Sequence, residues 1–311
     1  MSEVRPAPVP ARPANAPPTG RVTTGAGVVP AGAAAGVVPP TTRPRAGAGD
    51  LLTRPTDVPP PAPANDLPPP ASLPGPLCPA LLDLPGPRYA PYPVGPRPLR
   101  GPLELYLTEV GAQDDRSLLR AQELLDAEER ARARAFRRAR DRDAYVIAHA
   151  TLRALLSPLL GVPADELPLM REPCAGCGKP HGRPALRTSG VHFSLSHSGD
   201  LVLVALAGAP VGVDVEGVAT VEAVRGAQCA LHAAEVAELA LLPARDRQAA
   251  FTRTWVRKEA YLKGLGTGLV RDPALDHVGT GPRPVSPSPE WVLRDVLVPA
   301  GYAAAVALRR E

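Results

Sequence analysis

Hydrophobic and polar positions in residues 101–311 follow the two periods that predict strands and helices. Residues 103–107 place leucine at every second position, which is the spacing of a half-buried strand. Apolar residues between 145 and 160 recur at helical spacing, and Gly161 ends that run. This part of the chain is therefore predicted to mix helices and strands.

The middle of the chain predicts three more strands. Residues 191–196 alternate in polarity, residues 201–206 are apolar throughout, and a short turn joins the two runs into a hairpin. In residues 210–217 the valines occupy one face of a strand, so the carboxylates of Asp214 and Glu216 share the other face.

The sequence from Trp255 to Lys263 predicts a helix that runs into a glycine-rich segment. Glu259 and Lys263 are four residues apart and therefore lie on one face of this helix. The pair is either an ordinary solvated salt bridge or part of a charged site beside the glycines. Residues 231–251 predict two helices broken at a proline, and a strand hairpin is expected in residues 291–308.

These elements predict an α+β fold made of two similar halves, residues 101–208 and 209–311. Residues 1–100 differ in composition, since they hold 27 of the 42 prolines and only two aromatic residues. Proline removes backbone hydrogen-bond donors, and few large apolar groups are present to offset the entropy of ordering. We expect residues 1–100 to form a disordered Pro/Ala/Gly-rich tail that can be deleted without loss of cooperative unfolding.

Charge and hydropathy narrow the class of protein. The net charge is only +4, and the arginines are not interleaved with aromatic residues, which argues against a nucleic-acid-binding protein. No apolar run reaches the roughly 18–20 residues of a membrane helix, and the N-terminus has no signal-peptide pattern. We therefore expect a cytoplasmic protein that does not bind membranes. The four cysteines do not form the pattern of a disulfide framework.

Asp214 and Glu216 are the first candidates for chemistry. Two neighbouring carboxylates repel each other unless a cation is bound between them. Their hard oxygen ligands suit magnesium better than zinc. The alternative is the exposed polar face of an ordinary strand.

Two polar segments admit several interpretations. Residues 130–142 contain seven arginines, which form either a solvated helix face or a binding site for phosphate. Ser196, His197 and Ser198 lie at the mouth of the predicted hairpin. No G-x-S-x-G motif surrounds them, so ligand binding or a structural turn is favoured over a hydrolase site.

A glycine- and proline-rich loop carries Cys174 and Cys177, with His181 close by. This spacing provides half of a zinc site, but no second cysteine pair follows it. A loop with an ordinary structural role is the alternative. Its backbone amides and Lys179 also suit an adenine or a phosphate.

Four of these segments together resemble motifs of the 4′-phosphopantetheinyl transferase superfamily. They are, in chain order, Gly178-Lys179-Pro180, Phe193-Ser194-Leu195-Ser196-His197-Ser198, Gly212-Val213-Asp214-Val215-Glu216 and Trp255-Val256-Arg257-Lys258-Glu259-Ala260-Tyr261-Leu262-Lys263. The first two are similar to motifs of the longer, pseudo-dimeric bacterial branch, the surfactin-synthetase-activating type that serves peptide and polyketide synthases. The resemblance covers residues 101–311 and implies an active site in the cleft between the two halves.

The resemblance implies an enzyme of secondary metabolite biosynthesis. It would move the phosphopantetheine arm of coenzyme A to a serine of an apo acyl, peptidyl or polyketide carrier protein. Asp214, Glu216 and Glu259 would hold Mg²⁺, and Glu259 or a water on the metal would take the serine proton. Lys263 would neutralise pyrophosphate charge. A non-catalytic module that binds coenzyme A or a carrier protein on the same fold is the alternative. We expect a monomer.

The same resemblance implies which residues bind coenzyme A. They are Ser196, His197, Lys179 and Arg132 for the 3′-phosphate, and Gly178 and Pro180 for the adenine.

Overall fold

The structure is a computed structural model, and it describes residues 75–82, 97–180, 182–187 and 189–310. Most of the predicted tail therefore lies outside the described residues. Within the described part, no helix is long and apolar enough to cross a membrane. The cytoplasmic location stays a prediction.

The described residues form both helices and strands, which confirms the α+β class. The strands are β1 (Ala80–Leu81), β2 (Leu103–Glu109), β3 (Leu169–Arg171), β4 (Pro184–Leu186), β5 (His192–Ser198), β6 (Leu201–Ala207), β7 (Val211–Gly217), β8 (Trp291–Val296) and β9 (Tyr302–Arg309). The α-helices are α1 (Asp115–Glu123), α2 (Ala127–Arg134), α3 (Ala139–Leu160), α4 (Val221–Ala227), α5 (Ala233–Leu241) and α6 (Ala244–Leu265).

The first sheet is built around the predicted hairpin of β5 and β6. Its strand order is β1-β2-β6-β5, and β6 is buried along its whole length. The continuous apolar run of β6 fits this central position, because both of its faces are covered. Helix α3 packs on one face, where Ile147 and Leu156 join Leu206 in one core. β5 continues through Ser198, so the turn is shorter than the sequence predicts.

The second sheet has the strand order β7-β9-β8, and helix α6 packs across it. Val211, Val213 and Val215 of β7 pack against the first sheet, in a cluster that includes Leu105 and Leu203. The alternation of β7 therefore separates two surfaces. One face makes the apolar contact between the sheets, and the other lies under α6.

Helix α6 begins after Pro243 and ends at Gly266. Gly266 has a left-handed φ of 76°, and its N–H donates back to the last turn of the helix. Gly264 is predicted to follow the helix but lies inside it. An added Cβ at Gly264 would lie 2.5 Å from the Trp291 ring, so a larger residue has no space there. Packing therefore explains this glycine.

Residues 75–82, here named the strap, pair with strands of both sheets, although they lie within the predicted tail. At one end β1 pairs in parallel with β2, and the Leu82 N–H donates to a β2 carbonyl at 2.9 Å. At the other end Leu77 exchanges backbone hydrogen bonds with the end of β8, at 2.9 and 2.8 Å. Composition does not reveal such pairing, because it depends on the sheet edges that the rest of the fold leaves free.

Candidate functional site

The two carboxylates of β7 lie where this strand passes under α6. A Cβ added to Gly212 would lie 2.0 Å from the Ala260 carbonyl oxygen and 2.3 Å from the Gly264 nitrogen. The helix backbone therefore rests directly on the strand at this point. Asp214 and Glu216 follow at intervals of two residues, so they share the face of Gly212.

Lys263 of α6 pairs with Asp214 of β7. The Lys263 Nζ donates to Asp214 Oδ1 at 2.5 Å and to Ser196 Oγ at 3.1 Å. Asp214 is only 2% exposed, so this ion pair is screened little by water. Lys263 therefore pairs with a carboxylate of the neighbouring strand. The sequence alone suggested, as one of two interpretations, a solvated pair with Glu259 on the same helix.

Burial and repulsion change the acidity of the surrounding carboxylates. Burial first and Asp214 second raise the pKa of Glu216 to about 7, although the Ser198 hydroxyl opposes this shift. The same two causes raise the pKa of Glu259 to about 7. Burial disfavours the Lys263 ammonium, but the surrounding carboxylates outweigh it and raise its pKa. The cluster thus holds more negative charge than one lysine neutralises.

The donor atoms of this cluster fit a hard divalent cation. Asp214 Oδ2 is buried and has no hydrogen-bond partner among the described residues. The Glu216 and Glu259 carboxyls nearby resist ionisation, because burial and Asp214 raise their pKa values. A hard cation that prefers oxygen ligands would satisfy the unpaired Asp214 oxygen and favour the ionised form of both glutamates. Among the described residues, however, no three His, Cys, Asp or Glu side chains have the arrangement of a metal site. The Lys263 ammonium lies against Asp214 instead.

Three serines of β5 line the edge of β7. Ser194, Ser196 and Ser198 stand at every second position. They accept hydrogen bonds from alternate N–H groups of β7 at 3.0, 3.3 and 3.4 Å. The Ser196 hydroxyl also donates to Asp214 Oδ1 at 2.8 Å, and the Ser198 hydroxyl donates to Glu216 Oε2 at 2.7 Å. These hydroxyls therefore join the two sheets and reach the carboxylates at the same time.

The sequence predicts a phosphate contact for Ser196, whereas the structure gives its hydroxyl three other partners. A hydroxyl has one donor and two acceptor positions. The donor of Ser196 serves Asp214, and its acceptors serve Lys263 and the Val215 N–H. A phosphate could bind this hydroxyl only if one of these bonds broke. The phosphate contact stays a prediction.

Arg132 and His197 both lie near ring side chains of α3. The Arg132 guanidinium lies 5.9 Å from the centre of the Tyr145 ring, and the Tyr145 and His149 rings are 4.1 Å apart. Burial lowers the pKa of His197, and the nearby His149 and Lys263 lower it further. His149 thus affects His197 and stacks near the ring that Arg132 contacts, and the shared phosphate contact of His197 and Arg132 stays a prediction.

The arginine-rich segment spans the end of α2 and the start of α3. Arg132 is half-buried, whereas most other arginines of residues 130–142 are exposed. The segment is therefore largely a solvated surface, and Arg132 is the member that contacts the aromatic side chains described above.

The anchors of this region are Arg153 and its acidic partners, which the sequence analysis does not predict. The Arg153 Nε donates to Glu129 at 2.5 Å, and Glu129 also lies 2.8 Å from His149 Nδ1. Arg153 is fully buried and also bonds to Asp126 and to the Ala164 carbonyl. A charged residue within an apolar helical run was the available signal, because a buried arginine needs acidic partners.

The cysteine loop, residues 172–184, carries the other three predicted ligands of coenzyme A. Gly178, Lys179 and Pro180 are all exposed. The loop packs on the chain that follows α6, where the Cys174 thiol lies 3.9 Å from the Thr267 carbonyl oxygen. The contacts of this loop are therefore with the glycine-rich segment after the helix, and the roles of its three exposed residues stay predictions.

The two cysteines of the loop have no third ligand with the arrangement of a metal site among the described residues. The Gly176 N–H lowers the pKa of the Cys174 thiol, and the N–H and thiol of Cys177 add to this effect. His181 lies outside the described residues. The zinc interpretation stays a prediction.

The other two cations of the predicted helix stabilise the fold. The Lys258 Nζ donates to Glu235 Oε2 at 2.7 Å and to the Pro273 carbonyl at 2.9 Å. Arg257 makes two hydrogen bonds to the Asp295 carboxylate, at 2.7 and 2.6 Å. Both side chains are buried, and they anchor α5 and the segments after α6, whereas Lys263 faces β7.

Two protein-family models match adjacent segments of the chain. A model described as 4′-phosphopantetheinyl transferase superfamily matches residues 210–295. A model described as 4′-phosphopantetheinyl transferase, N-terminal, matches residues 113–209. The two matches meet between β6 and β7, where the chain passes from the first sheet to the second.

Three relatives show how far the similarity extends. Over 142 residues the chain is 32% identical to the 4′-phosphopantetheinyl transferase psf-1 of Bacillus pumilus, a match that covers 46% of this chain and 58% of that protein. Over 188 residues it is 30% identical to the 4′-phosphopantetheinyl transferase HetI of a Nostoc strain, covering 59% and 78%. The 4′-phosphopantetheinyl transferase gsp of Aneurinibacillus migulanus is 27% identical over 130 residues, covering 41% and 51%. The chain thus spans little more than half the length of psf-1 and gsp.

Proposed function

Because this chain belongs to the 4′-phosphopantetheinyl transferase superfamily, we propose that it transfers the phosphopantetheine arm of coenzyme A to a serine of an apo carrier protein. The observation that carries this proposal is the cluster of the buried Asp214 carboxylate and the half-buried Glu216 and Glu259 carboxylates around Lys263, which contacts Ser196 of the other matched segment. Transfer from a pyrophosphate needs counter-charge and a proton acceptor, and this cluster offers both. Carrier domains of peptide and polyketide synthases, which serve secondary metabolism, are the proposed partners.

The proposed reaction is a displacement at phosphorus. The carrier serine oxygen attacks the β-phosphorus of coenzyme A and forms a new P–O bond. The bond between that phosphorus and the bridging oxygen breaks, and 3′,5′-ADP leaves with the bridging oxygen. The serine hydroxyl gives its proton to a base of the site, so that atoms and charge balance.

We propose Mg²⁺ as the cofactor, held by Asp214, Glu216 and Glu259. When bound, it would neutralise charge on the pyrophosphate and on the leaving group. The orphaned Asp214 Oδ2 and the all-oxygen donor set support this assignment. Lys263 would then direct its charge from Asp214 toward the pyrophosphate oxygens, as a compact ammonium on a flexible stem can do.

Glu259 is the proposed base for the carrier serine. In the metal-free protein burial and the Asp214 carboxylate raise the pKa of Glu259 to about 7. A bound cation would lower this pKa and keep the carboxylate ionised, as a proton acceptor must be. Glu259 also belongs to the proposed cation ligands, and both roles require its carboxylate at the reacting phosphate.

Coenzyme A is proposed to bind along the region that runs from Lys263 toward α2. His197, Arg132 and Ser196 would bind its 3′-phosphate. The cysteine loop would contribute Lys179 to the same phosphate, and its exposed glycine and proline would line the adenine. The site draws on both sheets of one chain, so we propose that the protein acts as a monomer.

The transfer reaction is tested by mass spectrometry. Purified protein is incubated with coenzyme A, Mg²⁺ and a panel of apo carrier proteins, and the carriers are weighed. We expect at least one carrier to gain the mass of the arm and expect EDTA to prevent the gain. Binding of coenzyme A without a gain on any carrier would instead support a non-catalytic binding module.

Asp214→Ala and Glu259→Ala test the site. Each should lower transfer by about a hundredfold or more, because each removes charge at the reacting phosphate. Circular dichroism should show that both variants still fold. The matched control is Asp246→Asn, which changes an exposed carboxylate in the first turn of α6, the helix that carries Glu259. This variant should keep wild-type transfer. Full transfer in both alanine variants would exclude the proposed site.

A further inference from the structure

Side chains of β5 make the junction between the two sheets. β5 and β7 lie side by side, yet within the described part of the chain they belong to separate hydrogen-bonded sheets. Backbone N–H groups at such a junction would lack partners, which is costly when they are buried. The serine hydroxyls of β5 fill this gap, in the place where a backbone carbonyl would stand in a continuous sheet.

The three serines differ in what else they contact. Ser194 has no carboxylate opposite it, because the corresponding residue of β7 is Gly212. Ser196 already serves the ion pair described above. The Ser198 hydroxyl donates a hydrogen bond to Glu216 Oε2 at 2.7 Å. Two of the three junction serines, Ser196 and Ser198, thus also bond to a carboxylate of the cluster.

We propose that Ser198 is a positioning residue for the transfer reaction, which orients the Glu216 carboxylate toward the bound cation. The inference rests on the proposed function and adds to it a residue with no assigned contact to coenzyme A, cation or carrier. A free glutamate side chain would have to be ordered each time a cation binds. Ser198 orders it beforehand, because its own hydroxyl is held by the Gly217 N–H at 3.4 Å.

Ser194→Ala provides the matched control for Ser198→Ala. It removes the same kind of junction bond, from the Val213 N–H at 3.0 Å, but it changes no carboxylate contact. A purely structural role for Ser198 predicts that both variants behave alike. A positioning role predicts that Ser198→Ala alone changes cation binding.

Binding of Mn²⁺ to the full chain without coenzyme A measures this directly, through the EPR signal of the free ion. Ser198→Ala should raise the Mn²⁺ dissociation constant about five- to tenfold, the size expected for one hydrogen bond to a charged group. Ser194→Ala should bind Mn²⁺ like the wild type. Ser198→Thr keeps the hydroxyl and should restore the affinity.

Transfer to an apo carrier gives the second measurement. In Ser198→Ala the Mg²⁺ concentration for half-maximal rate should rise, while kcat at saturating Mg²⁺ changes little. Unchanged Mn²⁺ affinity in Ser198→Ala, or an equal loss in Ser194→Ala, would overturn the proposal. If Ser198→Ala does not fold, Ser198→Cys replaces it, because a thiol is only a weak hydrogen-bond donor. Ser198→Cys should then bind Mn²⁺ more weakly than the wild type, and unchanged affinity would overturn the proposal.

These outcomes separate the inference from the proposed function. A wild-type protein that transfers the arm, with normal Mn²⁺ binding in Ser198→Ala, refutes only the positioning role. A wild-type protein that neither transfers the arm nor binds Mn²⁺ refutes both. Mn²⁺ binding that depends on Ser198 in a protein without transfer refutes the transferase function and supports the orientation of Glu216.

Discussion

At the scale of single residues, the site gathers several carboxylates around one ammonium. Asp214 takes Lys263 as its partner, and the pKa values of Glu216 and Glu259 rise to about 7. A raised carboxyl pKa means that the folded protein favours the protonated form. A divalent cation reverses this preference, because it favours ionised ligands.

The metal-free protein should therefore lose stability as pH rises. The pKa of both Glu216 and Glu259 goes from 4.5, the ordinary value, to about 7 in the folded protein. Between these values the folded protein binds more protons than the unfolded chain, so the free energy of unfolding falls as pH rises and then levels off. We expect the two groups together to lower it by about 2–4 kcal/mol, allowing for solvent screening.

Thermal unfolding of EDTA-treated protein from about pH 5 to about pH 8 measures this dependence. Glu216→Gln and Glu259→Gln should each flatten the fall seen in the wild type. Added Mg²⁺ should raise the unfolding temperature more at the higher pH. If neither glutamine variant changes the slope, these carboxyls are not the groups that titrate.

At the scale of elements, the site depends on how closely α6 approaches β7. Gly212 and Gly264 meet where the helix crosses the strand, and a Cβ on Gly212 would lie 2.0 Å from the Ala260 carbonyl oxygen. Backbone atoms cannot move aside as the end of a flexible side chain can, so the whole helix would have to shift. The glycines therefore set the distance across which Lys263 reaches Asp214.

Gly212→Ala should displace α6 and weaken both fold and site. We expect it to lower the free energy of unfolding by about 2–4 kcal/mol. Transfer should also fall in the protein that remains folded, because Glu259 and Lys263 move with the displaced helix. Gly217→Ala is the matched control on the same strand, because the nearest atom to its added Cβ is in the Tyr302 ring at 4.0 Å. Urea unfolding and the transfer assay compare them, and similar results for both variants would contradict the close-approach argument.

At the scale of the whole molecule, the strap is a second connection between the two sheets, besides the serine junction. It pairs with β2 at one end and with the end of β8 at the other. The Asp295 carbonyl accepts the Leu77 N–H of the strap, and the Asp295 carboxylate binds Arg257 of α6. The strap is therefore coupled to the helix that carries Glu259.

Two deletions should differ because of the strap. Removal of residues 1–74 keeps it, and the shortened protein should retain cooperative unfolding and transfer. Removal of residues 1–100 eliminates its backbone hydrogen bonds and also the bonds of Arg97 and Arg100 to the buried Glu104, and it should lower the free energy of unfolding by at least about 2–4 kcal/mol. Denaturant unfolding of both proteins decides the point, and equal stability would mean that the whole predicted tail is dispensable after all.

The faces that carry the candidate site residues could be predicted, because each face depends on a local period. The two-residue period of a strand puts Asp214 and Glu216 on one face, and the helical period puts Glu259 and Lys263 on one face. Other features depend on contacts between distant segments, and no local pattern encodes them. The pairing of the strap with two sheet edges is one example, and the acidic partners of Arg153 are another.

The sequence by itself determined the strands and the helix that carry the candidate site, and the face of each from which its charged side chains project. The tertiary structure decided the partners: Asp214 for Lys263, Glu216 for the Ser198 hydroxyl, and Glu235 for Lys258. The physical reason is that a period relates a side chain only to its own backbone. Its partner depends on which element comes within hydrogen-bonding distance, and here the contact of two glycines brings α6 onto β7.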